Sequence, residues 1–251
     1  MVSKAEKKRI KSLRLKKNRL KEGLFLIEGF RIVKEAVSSN VQIKKIIATE
    51  EGKNQIFGQN EYADTFQTDI VPIEDLKEIT TLDSPPSAIA LGILPDENDN
   101  ISLNNGEWAI FLENIQDPSN AGAILRTADW FGVKKIFCSK ETTDLWQPKV
   151  VRASMGSIFR MEVHFTSLKK VIVENDEIPA IATVMDGENL RKFEPPQGGI
   201  LCFGNEGNGL SREITDQCNH HLTIPRNGQT ESLNVAVSAG IFLYHLAWSM
   251  E

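Results

Sequence analysis

The chain has 251 residues, of which 41% are hydrophobic and 25% charged, close to average globular usage, which excludes wholesale disorder and a fibrous repeat. That length suffices for two domains and at least one sizeable core. The formal net charge of −5 hides an asymmetry: residues 1–34 hold 12 Lys/Arg and 3 Asp/Glu, a balance of +9, and the remainder holds 17 against 31, or −14. A basic arm precedes an acidic body, so the average does not exclude a nucleic-acid partner.

No apolar run approaches the roughly 18 residues that cross a bilayer, and the basic N-terminus lacks the apolar core of a secretory signal. A cytoplasmic protein without a membrane partner is expected. Cys138, Cys202 and Cys218 are odd in number and widely spaced, which suits reduced thiols better than a disulfide frame or a zinc site. His164, His220, His221 and His245 form no ligand spacing, so no metal is expected.

In chain order, Lys4 to Leu20 spaces Ile10, Leu13, Leu15 and Leu20 among lysines and arginines and reads as one basic, partly amphipathic helix. Such a face is either merely solvated or a phosphate contact, and composition does not decide between them. Leu24 to Ile27 reads as a strand and Arg31 to Val37 as a helix. Strands are predicted at Val41 to Ala48, Ile70 to Ile73 and Ser87 to Leu94, with a short helix at Glu74 to Ile79. Residues 1–95 are thus expected to form a small α/β domain, followed by an acidic, turn-rich linker over 96–106.

From 107 to 251, apolar strands alternate with helical segments. The strands are Trp108 to Leu112, Val133 to Cys138, Met161 to Phe165, Ala180 to Val184, Gly199 to Phe203 and His221 to Ile224. This alternation implies an α/β fold with a mostly parallel, covered sheet. A last helix is predicted over Ser232 to Trp248, with Leu233, Val237, Ile241, Tyr244 and Trp248 as a core or dimer stripe.

Three segments put Gly, Asn and ionisable residues directly after predicted strands, where open α/β sheets bind ligands. The first, Glu113 to Ala128, turns at Asp117-Pro118; Ser119 or Asn120 suits the cap of a helix carrying Gly122 and Arg126. An ordinary capped helix with a surface arginine explains much of it, although an arginine there is also a ready phosphate partner. The second, Phe203 to Ser211, has glycines at 204, 207 and 209 but matches neither a P-loop nor a dinucleotide fingerprint. The third, Ile224 to Val235, contains an Asn227-Gly228 turn, with Thr230 or Ser232 as a helix cap.

Together these segments resemble the signature motifs of the SpoU/TrmH family of RNA ribose 2′-O-methyltransferases. The pattern N-x-x-D-P-x-N-x-G-x-x-x-R-T-A is complete at Asn114 to Ala128, G-x-E-x-x-G-L at Gly204 to Leu210, and I-P-x-x-G-x-x-E-S-L-N-V at Ile224 to Val235. Arg152 to Ser157 resembles the segment between the first two motifs. The resemblance implies a SPOUT fold with a deep C-terminal trefoil knot, a homodimer, and S-adenosylmethionine as cofactor. It implies Arg126, Asn120 and Glu206 as catalytic residues and Gly204, Ile224, Ser232, Leu233 and Asn234 around the cofactor. Arg226 and Ala236 stand where relatives often have Met and Ser. Residues 1–95 more weakly resemble a ribosomal-protein-like RNA-binding domain through Phe25-Leu26-Ile27-Glu28-Gly29, which favours ribosomal RNA as partner, with tRNA as the alternative. Two further readings remain: a non-catalytic RNA-binding or ribosome-assembly protein, and a nucleotide-binding enzyme resting on the glycine loop alone.

Overall fold

The computed structural model describes residues 2–58, 65–96 and 100–248. The chain divides into two compact units, Met1–Asp96 with Asp144–Arg160, and Glu97–Thr143 with Met161–Glu251. This differs from the expected 1–95, 96–106 and 107–251 in two places. Segment 144–160 belongs to the first unit. Part of the expected linker is anchored in the second, because Ile101 is buried and Leu103 packs against the core. The Asn175 side chain holds that stretch, accepting from the Leu103 N–H at 2.6 Å and donating to the Ile101 carbonyl at 3.1 Å. Residues 97–99 lie outside the described residues.

The first unit begins α1 (Lys4–Ser12), α2 (Lys16–Glu22), β1 (Leu24–Glu28), α3 (Phe30–Val37), β2 (Ile43–Ala48), α4 (Glu50–Phe57), β3 (Thr68–Ile70), α5 (Ile73–Ile79) and β4 (Ala88–Ile93). Its mixed sheet runs β1-β4-β2-β3, with β4 antiparallel to β1 and β2. The expected single basic helix is broken into α1 and α2, since Ile10 and Leu13 turn into the core with Leu24, Leu26 and Leu91. The break frees backbone carbonyls. The buried Arg19 satisfies two of them, donating to Leu13 and Arg14 at 2.7 and 2.8 Å, and pairs with Asp144. Strand β3 ends at Ile70, not Ile73, because Pro72 caps α5.

The rest of the chain forms β5 (Trp108–Leu112), α6 (Pro118–Trp130), β6 (Lys135–Cys138), α7 (Pro148–Ala153), β7 (Glu162–Phe165), α8 (Leu168–Glu174), β8 (Ala180–Asn189), β9 (Gly199–Phe203), α9 (Arg212–Thr215), β10 (His220–Thr223) and α10 (Val235–Trp248). Helix α7 and the 3-10 turn Ser157–Arg160 belong to the first unit. There Trp146 and Phe159 meet Phe25, at ring separations of 4.7 and 6.2 Å. Glu28, fully buried, accepts from Thr80 Oγ1 at 2.7 Å, the Thr81 N–H at 2.6 Å and Arg152 at 3.1 Å. The Phe-Leu-Ile-Glu-Gly segment is therefore a structural hub.

The second unit's six strands are all parallel, in the order β10-β8-β9-β5-β6-β7. Central strands β5 and β9 are buried along their whole length, so they read as unbroken apolar runs. After β5 the chain adds β6 and β7 on one side, then returns to lay β9, β8 and β10 on the other. The β5/β9 boundary is thus a topological switch point, and the loops leaving those two strands share a crevice.

Helix α10 starts at Val235, three residues later than expected. Asn234 caps it, its side-chain oxygen accepting from the N–H groups of Ala236 and Val237 at 2.9 and 3.3 Å. Its buried face is Ala239, Phe242, Leu243 and Leu246, whereas Val237, Ile241 and Tyr244 of the predicted stripe are exposed. The Trp248 side chain lies outside the described set.

Candidate functional site

The loops after β5 and β9 are fastened together at both ends. Glu113, the first residue past β5, accepts from the N–H and hydroxyl of Ser211 at 2.7 and 2.6 Å. Asn205, just past β9, donates to the Asn114 carbonyl at 2.9 Å, and its side-chain oxygen accepts from the N–H groups of Gly207 and Asn208 at 2.9 and 3.2 Å. Asn205 and Gly209 exchange backbone hydrogen bonds of 3.1 and 2.9 Å, which folds the glycine loop back on itself. Gly204 is required for that return, because a Cβ there would lie 2.2 Å from the Gly209 carbonyl carbon and the Leu210 nitrogen.

Helix α6 enters the crevice with Asp117 as its cap, accepting from the Ser119 N–H at 2.6 Å, and Pro118 in its first turn. This corrects the expected cap at Ser119 or Asn120. Freed of capping, Asn120 joins the three sequence segments. Its amide donates to Glu206 Oε1 at 3.0 Å, and its oxygen accepts from the Asn234 amide at 2.9 Å. Directionality follows from chemistry: Asn234 uses its oxygen to cap α10, so only its amide faces Asn120, whose own amide then meets an acceptor-only carboxylate. One polar chain runs from the α10 cap through α6 to the glycine loop.

Beside it opens a cavity of about 650 Å³, lined by Thr183–Met185 of β8, Phe203, the loop 204–210, residues 223–228 and 230–233, Val235, Ser238 and Phe242. That size is within the usual range for a small-molecule site. Strand β8 contributes because its pairing with β10 jumps from Ala182 to Glu188, letting the intervening residues bow out of the ladder. Leu233 is 48% exposed, apolar surface available for a ligand. Among the described residues no group of His, Cys, Asp or Glu has the arrangement of a metal site, and no helix is long and apolar enough to cross a membrane.

Of the predicted site residues, Asn120, Glu206 and Asn234 are brought together, and Gly204, Glu206, Ile224, Ser232 and Leu233 line the cavity. Arg126 belongs to neither set. It lies six residues beyond Asn120, about 9 Å along the helix and about 120° round it, exposed and without a hydrogen bond or ion pair among the described residues. Sequence reasoning missed Glu113, Asn205 and Ser211 as fasteners. Glu113 had a signal, its position directly after an apolar strand; Thr183–Met185 had none.

The three cysteines are free thiols. Burial pushes Cys138 and Cys202 well up from the ordinary thiol range. Cys218, half-buried and 3.9 Å from Cys202, is shifted down by the hydrogen bond between the two sulfurs.

Residues 107–244 match the SpoU rRNA Methylase family, and residues 5–90 the MRM3-like substrate binding domain. A Bacillus subtilis protein named 23S rRNA (guanosine(2553)-2′-O)-methyltransferase RlmP is 31% identical over 242 residues, covering 94% of this chain and 93% of its own. The AdoMet-bound rRNA methyltransferase from Sinorhizobium meliloti superposes with a TM-score of 0.86 at 27% identity, over 100% of this chain and 98% of that one. A solved RNA 2′-O ribose methyltransferase gives 0.83 at 25% identity, over 100% and 97%.

Proposed function

Because the chain belongs to the SpoU rRNA Methylase family, we propose that it transfers the methyl group of S-adenosylmethionine to a ribose 2′-hydroxyl of structured RNA, with ribosomal RNA as the substrate. The observation that carries this reading is the fastening of all three motifs into one crevice, with the Asn234–Asn120–Glu206 chain beside a cavity of nucleoside size. The MRM3-like match over 5–90 and the name of the RlmP relative support ribosomal over transfer RNA. The cytoplasm is the compartment this reading entails.

The cavity fits the cofactor. Ile224 and Leu233 offer apolar cover for a purine, and the turn that Gly204 permits leaves backbone rather than side chains along one wall. S-adenosylmethionine supplies an already activated methyl group when bound, so the protein's own task is to align the ribose hydroxyl and help its proton leave. Glu206, held by Asn120, fixes the glycine loop against α6, while Ser232 and Asn234 border the same cleft. Arg126, always protonated, is a poor base; its planar fork suits the phosphate beside the target ribose, which it clamps while that phosphate or water takes the proton.

A homodimer and a trefoil knot complete the proposal. The knot is supported by membership of the SpoU family alone; true knots are otherwise rare. The dimer is supported by exposed apolar side chains on two helices: Trp130 of α6 is 84% exposed, and Val237, Ile241 and Tyr244 are exposed along one side of α10. Arg126, four residues before Trp130, lies on the same side of α6. Ile241→Glu is expected to convert the dimer to a monomer by light scattering; an unchanged mass excludes this face.

Calorimetric titration with S-adenosylmethionine, followed by mapping of ribose methylation in ribosomal RNA from cells lacking the protein, tests the function. A micromolar dissociation constant, about −8 kcal/mol, and a missing 2′-O-methyl group restored by the purified protein are expected. A folded protein that binds no cofactor refutes the enzyme and leaves an RNA-binding protein.

A further inference from the structure

Folding consumes only part of the basic arm. Lys7 pairs with Asp75 and Glu78 at 2.7 and 2.9 Å, Arg9 with Glu22 at 2.6 Å, and Arg19 is buried against Asp144. Lys4, Lys8, Lys11, Arg14, Lys17 and Lys21 are exposed, and their side chains make no hydrogen bond or ion pair among the described residues. Lys4, Lys8 and Lys11 fall on one side of α1, and Lys17 and Lys21 on one side of α2, at the three- and four-residue spacings that align side chains. Like charges so placed weaken a helix, so these stripes work against the local structure carrying them. Leu15 and Leu20 stand among them at 54% and 63% exposure. Beyond residue 34 the chain carries −14, a surface that repels polyanions.

We infer that the α1–α2 corner is the surface that grips the sugar-phosphate backbone of the folded RNA substrate, with Leu15 and Leu20 laid against ribose or base faces. The inference rests on the methyltransferase reading above, and adds where on the first unit the substrate is held. Charge complementarity argues for it: six unpartnered cations gathered in eighteen residues of an otherwise acidic protein. Binding there releases condensed counterions, so it carries a steep salt dependence.

The test uses the full chain with Lys4, Lys8, Lys11, Lys17 and Lys21 changed to Gln, against wild type and a control with Lys34, Lys44 and Lys77 of the same unit changed to Gln. The probe is in-vitro-transcribed large-subunit ribosomal RNA, titrated at several salt concentrations. All three proteins are expected to bind S-adenosylmethionine equally. The five-fold variant loses about 3.5–4.5 from the slope of log affinity against log salt, at roughly 0.7–0.9 per phosphate contact, and on the order of 100-fold or more in affinity. The control stays within about 3-fold. Wild-type slope and affinity in the five-fold variant overturn the inference and leave the corner to an acidic protein partner. Equal losses in the control overturn it in favour of diffuse charge. A wild type that binds S-adenosylmethionine but no ribosomal RNA overturns instead the reading on which the inference rests.

Discussion

Arg126→Ala is expected to lower the methyl-transfer rate by roughly 10²–10⁴-fold, the range for losing a group that assists proton transfer or stabilises charge in a transition state. The affinity for S-adenosylmethionine should stay within about 2-fold, because Arg126 does not line the cavity. Stability should hold as well. The side chain is exposed and bonds to no described residue, and such positions usually change stability by less than about 0.5 kcal/mol. Single-turnover methylation beside a calorimetric titration separates the two effects. Arg126→Lys keeps the charge but loses the planar fork, so partial activity marks a phosphate clamp. Wild-type turnover by Arg126→Ala would falsify the role.

The second large effect is expected at Gly204. Its Cβ would fall 2.2 Å from backbone atoms of Gly209 and Leu210, neighbours that cannot rotate away as a flexible side chain does. Gly204→Ala must therefore open the turn that closes the Asn205–Gly209 pair, at a cost of about 1–3 kcal/mol or more. Opening that turn moves Glu206 off Asn120 and reshapes the cavity wall, so cofactor affinity should drop about 100-fold, the equivalent of roughly 2.7 kcal/mol. Gly207→Ala is the contrast: its Cβ meets only the Asn205 side-chain oxygen, at 3.5 Å. Its melting temperature should stay within about 2 °C of wild type. Undiminished cofactor binding by Gly204→Ala would show that the loop accommodates the methyl group and that the cavity does not depend on this turn.

How far the fold was legible depended on what each element spends its residues on. Strands β5 and β9 are buried end to end, so their runs of Trp, Ile, Phe and Leu announced them to the residue. Strand β8 was read only to Val184, because its last residues, Met-Asp-Gly-Glu-Asn, are exposed or nearly so and carry no apolar pattern. Helix α4 went unread since Gly52 sits in its first turn. That glycine is a packing requirement, for a Cβ there would lie 2.0 Å from the Ser87 carbonyl oxygen. The stripe along α10 was read as core or dimer contact; its exposure removes the core alternative, as periodicity gives a face but not what it faces.

The site shows the same division. Its residue types could be listed from three segments, but the partners that hold them could not. Asn234 reaches Asn120 across 114 positions and Glu206 reaches it across 86, distances along the chain at which only the sheet order decides what meets. Caps were misread for a related reason: Asp117, Ser119 and Asn120 are all competent cap residues, and backbone geometry chooses among them.

Segment 144–160 bears on how such a protein can be assembled from parts. The chain passes between its two units at 96, again at 143 and again at 160, so neither unit is a contiguous stretch of the gene product. A fragment starting at residue 97 would leave Trp146 and Phe159 without Phe25, and Arg152 without Glu28. Exchanging the first unit for that of a relative therefore takes a join at each of these three crossings, with Phe25, Glu28 and Arg19 transferred alongside the residues from Asp144 to Arg160 that complete them. Residues 144–160 are therefore bound to diverge with the first 96 residues they pack against, although in sequence they lie between two stretches of the other unit.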